Sequence, residues 1–463
     1  MASTYAYRTM DLTADGGYTS RFVFSAWVKR SKLGYANAPL FSLHKNNSNT
    51  ASKINCYFNS SNDLIFVMQD SGGSADSEYQ TDRKFRDTNC WYHIYLAFNS
   101  TLSTAADRLQ IYVNGVRETS FAQANEVSNG FGALMSSSMD FRIGTMKNNS
   151  GTAYYFDGLM NSAIFTNYQS GTVDPVTDFG EVDSTTGEWK IKVSPDVTYA
   201  SQGVFVLKNG NSLTDQSGQS NNMTVGGTLT NSLDCPSNVF ATWNSLDQWF
   251  FWGAAESSNI TNGNTIVQSG NSQYAYIPTT IGVNSGKYYW EIKPSARNGG
   301  TGDLLVGVTS TQSVSAGQTL GYYPNDVAYR ENGNKKINNS DTSYGNSYTL
   351  NDIIGVAMDL DNNKLYFSKN GVWQNSGDPT SGSTGTGAIP LTASASTGLG
   401  NYFASVAYVN GSYNATFQAN FGNGFFGTSA VADNSTATAS TPGTFNYDVP
   451  AGYQPLTTKG LNA

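Results

Sequence analysis

The chain has 463 residues, with 47 Gly against 12 Pro, 28 Tyr, 13% aromatic residues and only 13% charged residues. A formal net charge of −8 with dispersed Lys and Arg repels phosphate backbones and argues against nucleic-acid binding. No apolar stretch is long enough to cross a bilayer as a helix, so membrane insertion is not expected, and no heptad pattern encodes a coiled coil.

The opening, MASTYAYRTMDLTADGG, lacks the basic and apolar regions of a secretory signal, so export by that route is not expected. From Arg21 to about Asn167 short strand signals follow one another. RFVFSAWVKR places Phe22, Phe24, Ala26 and Val28 on one face, and WYHIYLAF does the same for Tyr92, Ile94, Leu96 and Phe98. LFSL from Leu40, DLIFVMQD from Asp63, FRIGT from Phe141 and GLMNSAIF from Gly158 are further strands, with turn residues between them at the spacing of an antiparallel sandwich.

Between Thr177 and Asn238 the pattern loosens, which predicts a last strand or two and then a crossing segment ending near Cys235-Pro236. A second strand series follows in KYYWEIKP, DLLVGVTS, DIIGVAMDL, KLYFSKNGVW, YFASVAYV and ATFQANFG. The low-complexity run SGDPTSGSTGTG, Ser376 to Gly387, is expected to be a mobile surface loop between two of these strands.

Both halves carry one device. RLQIYVNGVRE and KLYFSKNGVWQ each run an alternating strand into Asn-Gly-Val, and Asn114-Gly115 and Asn370-Gly371 suit the two positive φ angles of a type I′ hairpin. The fold class is therefore all-β, two antiparallel jelly-roll-like β-sandwich domains in tandem: residues 1–235, residues 236–450 and a C-terminal tail at 451–463.

Catalytic chemistry finds little support. Glu181, Asp183 and Glu188 in DFGEVDSTTGEW are the nearest approach to the paired carboxylates of a glycosidase, but Thr185-Thr186-Gly187 breaks the run into a turn, leaving solvated loop acids. The two histidines, His44 and His93, have no partner at metal-ligand spacing, and His93 is expected to be packed or on a rim. Cys56, Cys90 and Cys235 are odd in number and form no C-x-x-C pair, as expected of buried reduced thiols. No cofactor is expected. Asp359 and Asp361 in DLDNN supply hard oxygens that suit calcium, but the same residues make a hairpin turn. Exposed aromatics beside amides and carboxylates would bind sugars, and the candidates are Tyr154, Tyr155 and Asp157, then Tyr322 and Tyr323; the run Trp249, Phe250, Phe251 and Trp252 suits a buried contact better.

VFSAWVKRS, WYHIYLAFNSTLSTAADRLQIYVNGV, YYFDGLMNSAIFTN, VTDFGEVDSTTGEW and DQSGQSNNMTV with DCPSNVFATWN together resemble the concanavalin A-like, laminin-G-type domain of tailed-bacteriophage virion proteins. GKYYWEIK, DIIGVAMDLDNNKLYFSKNGV and ATFQANFG resemble the SPRY domain that follows it in such proteins, and VPAGYQPLTTKGLN resembles the segment that ends it. The resemblance implies a structural protein on the surface of the virion, in the tail or on the head, with other virion proteins as partners and host cell-surface glycans as the contact. A capsid decoration or tail-scaffold protein without a ligand, and a polysaccharide depolymerase, are the alternatives it leaves.

Overall fold

The computed structural model describes residues 4–13, 20–45, 53–69, 75–131, 137–147, 153–168, 172–208, 212–246, 260–269, 275–297, 303–311, 318–409, 414–432, 435–436 and 442–459. It divides into two compact units, Met1–Asn231 and Ser232–Ala463. Both are all-β, and among the described residues the pairings are antiparallel apart from one parallel strand pair described below and a single parallel bridge, Asn423 with Thr444.

In the first unit the strands are β1 (Tyr5–Met10), β2 (Arg21–Arg30), β3 (Asn37–Lys45), β4 (Lys53–Asn59), β5 (Asp63–Gln69), β6 (Ala75–Lys84), β7 (Tyr92–Asn99), β8 (Leu109–Val113) and β9 (Val116–Arg117). They continue with β10 (Phe121–Asn125), β11 (Met139–Ile143), β12 (Thr145–Lys147), β13 (Ala153–Tyr155), β14 (Gly158–Asn167), β15 (Gly180–Val182), β16 (Trp189–Ile191), β17 (Val204–Val206) and β18 (Thr224–Gly226). An eight-stranded sheet in the order β10-β6-β5-β4-β3-β11-β1-β18 faces a six-stranded sheet in the order β17-β14-β2-β7-β8-β9.

Alternation decides which side chains meet between the sheets. Phe22, Phe24, Ala26 and Val28 of β2 and Tyr92, Ile94, Leu96 and Phe98 of β7 pack against Phe41, Ile54, Phe66 and Phe141 of the facing sheet. The intervening residues of β2 and β7 are also buried, because a second layer lies on the back of the six-stranded sheet: Val23, Tyr95 and Ala97 pack with Val176, Phe179 and Phe205. The loosely patterned segment after Thr177 thus builds most of this layer, with Tyr168 and Val176 just before it, and lends an edge strand to each sheet, β17 beside β14 and β18 beside β1.

The second unit repeats the plan with its own core around Trp290, Val306, Tyr329, Val356, Phe367, Tyr402 and Phe417. Its strand Lys287–Arg297 pairs antiparallel with Ile354–Asp359 and Ala415–Asn420, and parallel with Gln454–Pro455. The segment set apart in the sequence as a tail is therefore part of the sandwich, with Tyr453 and Leu456 fully buried. The Ser376–Gly387 run also departs from expectation. Asp378 caps the Thr380 N–H, Thr386 N–H reaches Ser381 Oγ, and Tyr453 donates to the Pro379 carbonyl at 3.0 Å, so hydroxyls and an Asx cap order a run that its composition marks as free. Of the three thiols, all free, only Cys56 is buried; Cys90 and Cys235 are half-exposed.

Both Asn-Gly turns form, with φ of 49° and 76° at Asn114 and Gly115 and 48° and 80° at Asn370 and Gly371. Each joins two antiparallel strands, β8 with β9 and Lys364–Lys369 with Val372–Trp373.

Candidate functional site

Ala6 and Met10 of β1 and Met139, Phe141 and Ile143 of β11 point into the core. Their neighbours Tyr5, Tyr7 and Thr9, and Asp140 and Arg142, consequently stand on the outer face of the eight-stranded sheet. Register sets Tyr7 directly opposite Arg142 and Thr9 opposite Asp140, with Thr224 on the other side of Tyr7. Tyr5 lies 5.7 Å from Tyr7, ring centre to ring centre, and 6.1 Å from Tyr155 of β13. The Arg142 guanidinium stands over the Tyr5 ring at 5.6 Å and donates through Nε to Asp140 at 2.8 Å, with a second contact from the same guanidinium to that carboxylate. Gly226 of β18 leaves room for the Tyr5 ring; a Cβ there would sit 2.3 Å from it. The result is a three-tyrosine platform beside a charge-balanced ion pair, with Tyr7 its most open ring at 36% exposure.

Behind the pair, Asp140 and Arg142 face His44 and Ser42 of β3. His44 Nε2 meets Asn55 Oδ1 at 2.8 Å, and Ser42 donates to the Thr145 carbonyl. Burial, with the Lys53 and Arg142 cations adding to it, holds the His44 imidazole below its ordinary pKa.

Of the residues expected to bind sugars, Tyr155 joins this platform. Tyr154 pairs across the β12–β13 hairpin with Met146, and its carbonyl accepts from Thr145 Oγ1. Asp157 is tied through its carbonyl to the Ser31 N–H, and burial raises its carboxyl pKa. Tyr322 and Tyr323 belong to the second unit, in an edge-to-face pair at 5.1 Å beside the buried Asp326. Tyr5 and Tyr7 were not recognised by sequence reasoning, because YAYRTM sets Arg8 among the inward positions and tyrosines on the outward ones, so no clean apolar/polar alternation marks the strand. The Trp249 to Trp252 run lies outside the described residues.

The acid candidates are engaged locally. Glu181 and Asp183 flank Lys190 at 3.3 and 3.2 Å, and Asp183 also caps the Thr185 and Thr186 N–H groups, which holds its carboxyl down at about 2. Glu188 stands across the same exposed turn, where its carbonyl accepts from the Asp183 N–H. Asp359 is buried against Lys287 at 3.0 Å and caps Asn362, whereas Asp361 accepts from the Gly286 N–H. Among the described residues no group of three or more His, Cys, Asp or Glu is placed to hold a metal ion.

His93 is fully buried between Trp27 and Trp189, with ring separations of 4.9 and 5.9 Å. Trp189 Nε1 can only donate, and it donates to Nδ1 at 2.9 Å, so the proton of the neutral imidazole sits on Nε2 and faces Ser25 Oγ at 2.8 Å. That tautomer gives the imidazole no free lone pair with which to activate Ser25, and desolvation pushes its pKa down to about 3.

The sheets of the two units define a tandem β-sandwich protein. Residues 3–170 match the family model described as the concanavalin A-like lectin/glucanases superfamily, and residues 287–423 match that of the SPRY domain. The chain carries a concanavalin A-like domain followed by a SPRY domain. Over 93 residues, 20% of its length, it is 37% identical to the ATP-dependent RNA helicase DDX1 of Xenopus laevis, and it spans 12% of that helicase. Among solved structures it is similar to the SPRY domain of human HERC1, at 19% identity over 35% of this chain and 89% of that one with a TM-score of 0.27. It is also similar to the native heptameric SAP-like pentraxin from Limulus polyphemus, at 14% identity over 49% and 90% with a TM-score of 0.29.

Proposed function

We propose that this chain is a non-enzymatic structural protein of a tailed-bacteriophage particle, exposed on the tail or head, that contacts host-surface glycans through its concanavalin A-like unit. The observation that carries the reading is the order of the two domains in one chain, concanavalin A-like then SPRY, together with the succession of sequence blocks that resembles such virion proteins. Asp183 supports the non-enzymatic part, since a general acid needs a raised pKa and the Thr186 and Thr185 N–H groups with Lys190 hold this carboxyl down. Partners in this reading are other virion proteins, and no cofactor is required.

Mass spectrometry of gradient-purified phage particles that encode the chain tests the assignment. Recovery of its peptides in fixed stoichiometry with the capsid or tail proteins is expected; their absence from infectious particles would overturn it. A copy number matching the head lattice would point to decoration in place of adsorption.

A further inference from the structure

We propose that the platform of Tyr5, Tyr7 and Tyr155 with the Asp140–Arg142 pair binds an uncharged pyranose ring, the C–H face of the sugar lying on Tyr7. This rests on the glycan-contact reading above and names its site and ligand class. An aromatic face offers a flat apolar surface, and the axial C–H groups of a pyranose make the matching one. Tyr7 is the ring left open for it, since Tyr5 is already covered on one side by Arg142 and seated over Gly226.

Orientation of the sugar comes from the row in which Tyr7 stands. Cross-strand neighbours on one face have Cβ atoms roughly 5 Å apart, so Arg142 and Thr224 flank the Tyr7 ring and Asp140 lies one diagonal away. A carboxylate only accepts, a guanidinium only donates and a threonine hydroxyl does both, which is the complement of a ring of sugar hydroxyls.

Charge selects against acidic sugars. Arg142 is committed to Asp140 through Nε at 2.8 Å, so the pair presents no net positive charge. A uronate or sialate would approach the Asp140 carboxylate on a chain of net charge −8. Tyr5 is held before any ligand arrives by Tyr155, Arg142 and the Gly226 seat, and Tyr7 leans on it at 5.7 Å, so the floor of the platform need not be ordered on binding.

The test is calorimetric titration of the full chain with neutral hexose oligosaccharides (glucan, mannan and galactan series) and with oligouronates of the same length. Binding to at least one neutral series and none to the uronates is expected, with Tyr7→Ala weakening it roughly tenfold or more, Tyr7→Phe retaining it, and Asp140→Asn weakening it. Val372→Ala in the other sandwich serves as the unaffected control, and unchanged melting temperatures show that the variants fold. Neutral-sugar binding that survives both Tyr7→Ala and Asp140→Asn would overturn this site and leave the glycan reading standing. Preference for uronates would overturn the ligand class, and no binding to any sugar would remove both the site and the glycan reading.

Discussion

Asn114 and Asn370 do the same work in the two units. Each side-chain oxygen accepts a backbone N–H at the start of the neighbouring strand that pairs with the one leading into the turn, His93 at 2.7 Å and Ile353 at 2.8 Å, and each backbone N–H returns a bond to that residue's carbonyl. The glycine that follows has a second reason to lack a side chain. A Cβ on Gly115 would stand 2.4 Å from the Trp189 ring, and one on Gly371 2.7 Å from Tyr447, so each turn is the seat of an aromatic brought in from later in the chain. Gly115→Ala and Gly371→Ala are each expected to cost about 2 kcal/mol or more, from positive φ and ring displacement together, read as a drop in the denaturation midpoint of the affected unit. The Asn-Gly signal itself was legible in the sequence; the aromatic seats were not, because Trp189 and Tyr447 arrive from elements whose placement no local pattern encodes. His93 adds a pH dependence. Its folded pKa, pushed to about 3, lies below the unfolded value of about 6.5, so the unfolded state binds more protons between those limits and stability is lost as pH falls through that window. A melting profile of the first unit between pH 7 and pH 4 should fall, and His93→Gln should flatten the fall.

Elements show where alternation is a sufficient guide and where it is not. β2, β7 and β8 face the core with the residues their period assigns. The back of the six-stranded sheet was not legible as buried, since it is covered by a segment rich in turn residues that contributes Val176, Phe179 and Trp189 one at a time. β1 escaped notice because its outward residues are tyrosines, and the platform escaped with it because β1 and β11 are neighbours only through long-range register. In the second unit the strand Lys287–Arg297 carries Glu291, fully buried on the face opposite Trp290 and Ile292. Its oxygens accept from Asn446 N–H and Tyr447 N–H at 2.8 Å, from Asn420 Nδ2 at 3.2 Å and from Tyr289 OH at 3.1 Å, clasping the C-terminal segment to the sheet. Desolvation outweighs these donors and raises its pKa to about 7. The folded state then holds the proton more tightly than an unfolded Glu near 4.5, so the contribution is present below pH 4.5 and lost as pH rises through about 7. Hydrogen exchange at Asn446 and Tyr447, corrected for intrinsic rate, should report weaker protection at pH 8 than at pH 5. Glu291→Gln replaces one carboxyl oxygen with an amide NH2 that faces donors, and a loss of about 2 kcal/mol is expected in the second unit alone.

At the scale of the whole molecule, two separate cores underlie two separate units. Residues 1–231 and 232–463 expressed apart should each unfold cooperatively and show a near-ultraviolet aromatic signal of its own; a unit that stays molten alone would show that its core is incomplete. The all-β tandem architecture was legible from turn spacing and composition, because strand alternation is a local property. The virion reading rests on domain order and resemblance, and location is what decides it. The direct measurement is a cryo-EM reconstruction of the intact particle in which this chain is traced and its copies counted. Density for both sandwiches on the particle exterior, with the β1–β11 face directed outward, is the expected result. A particle that lacks the chain, or that buries the β1–β11 face against its neighbours, would contradict the account.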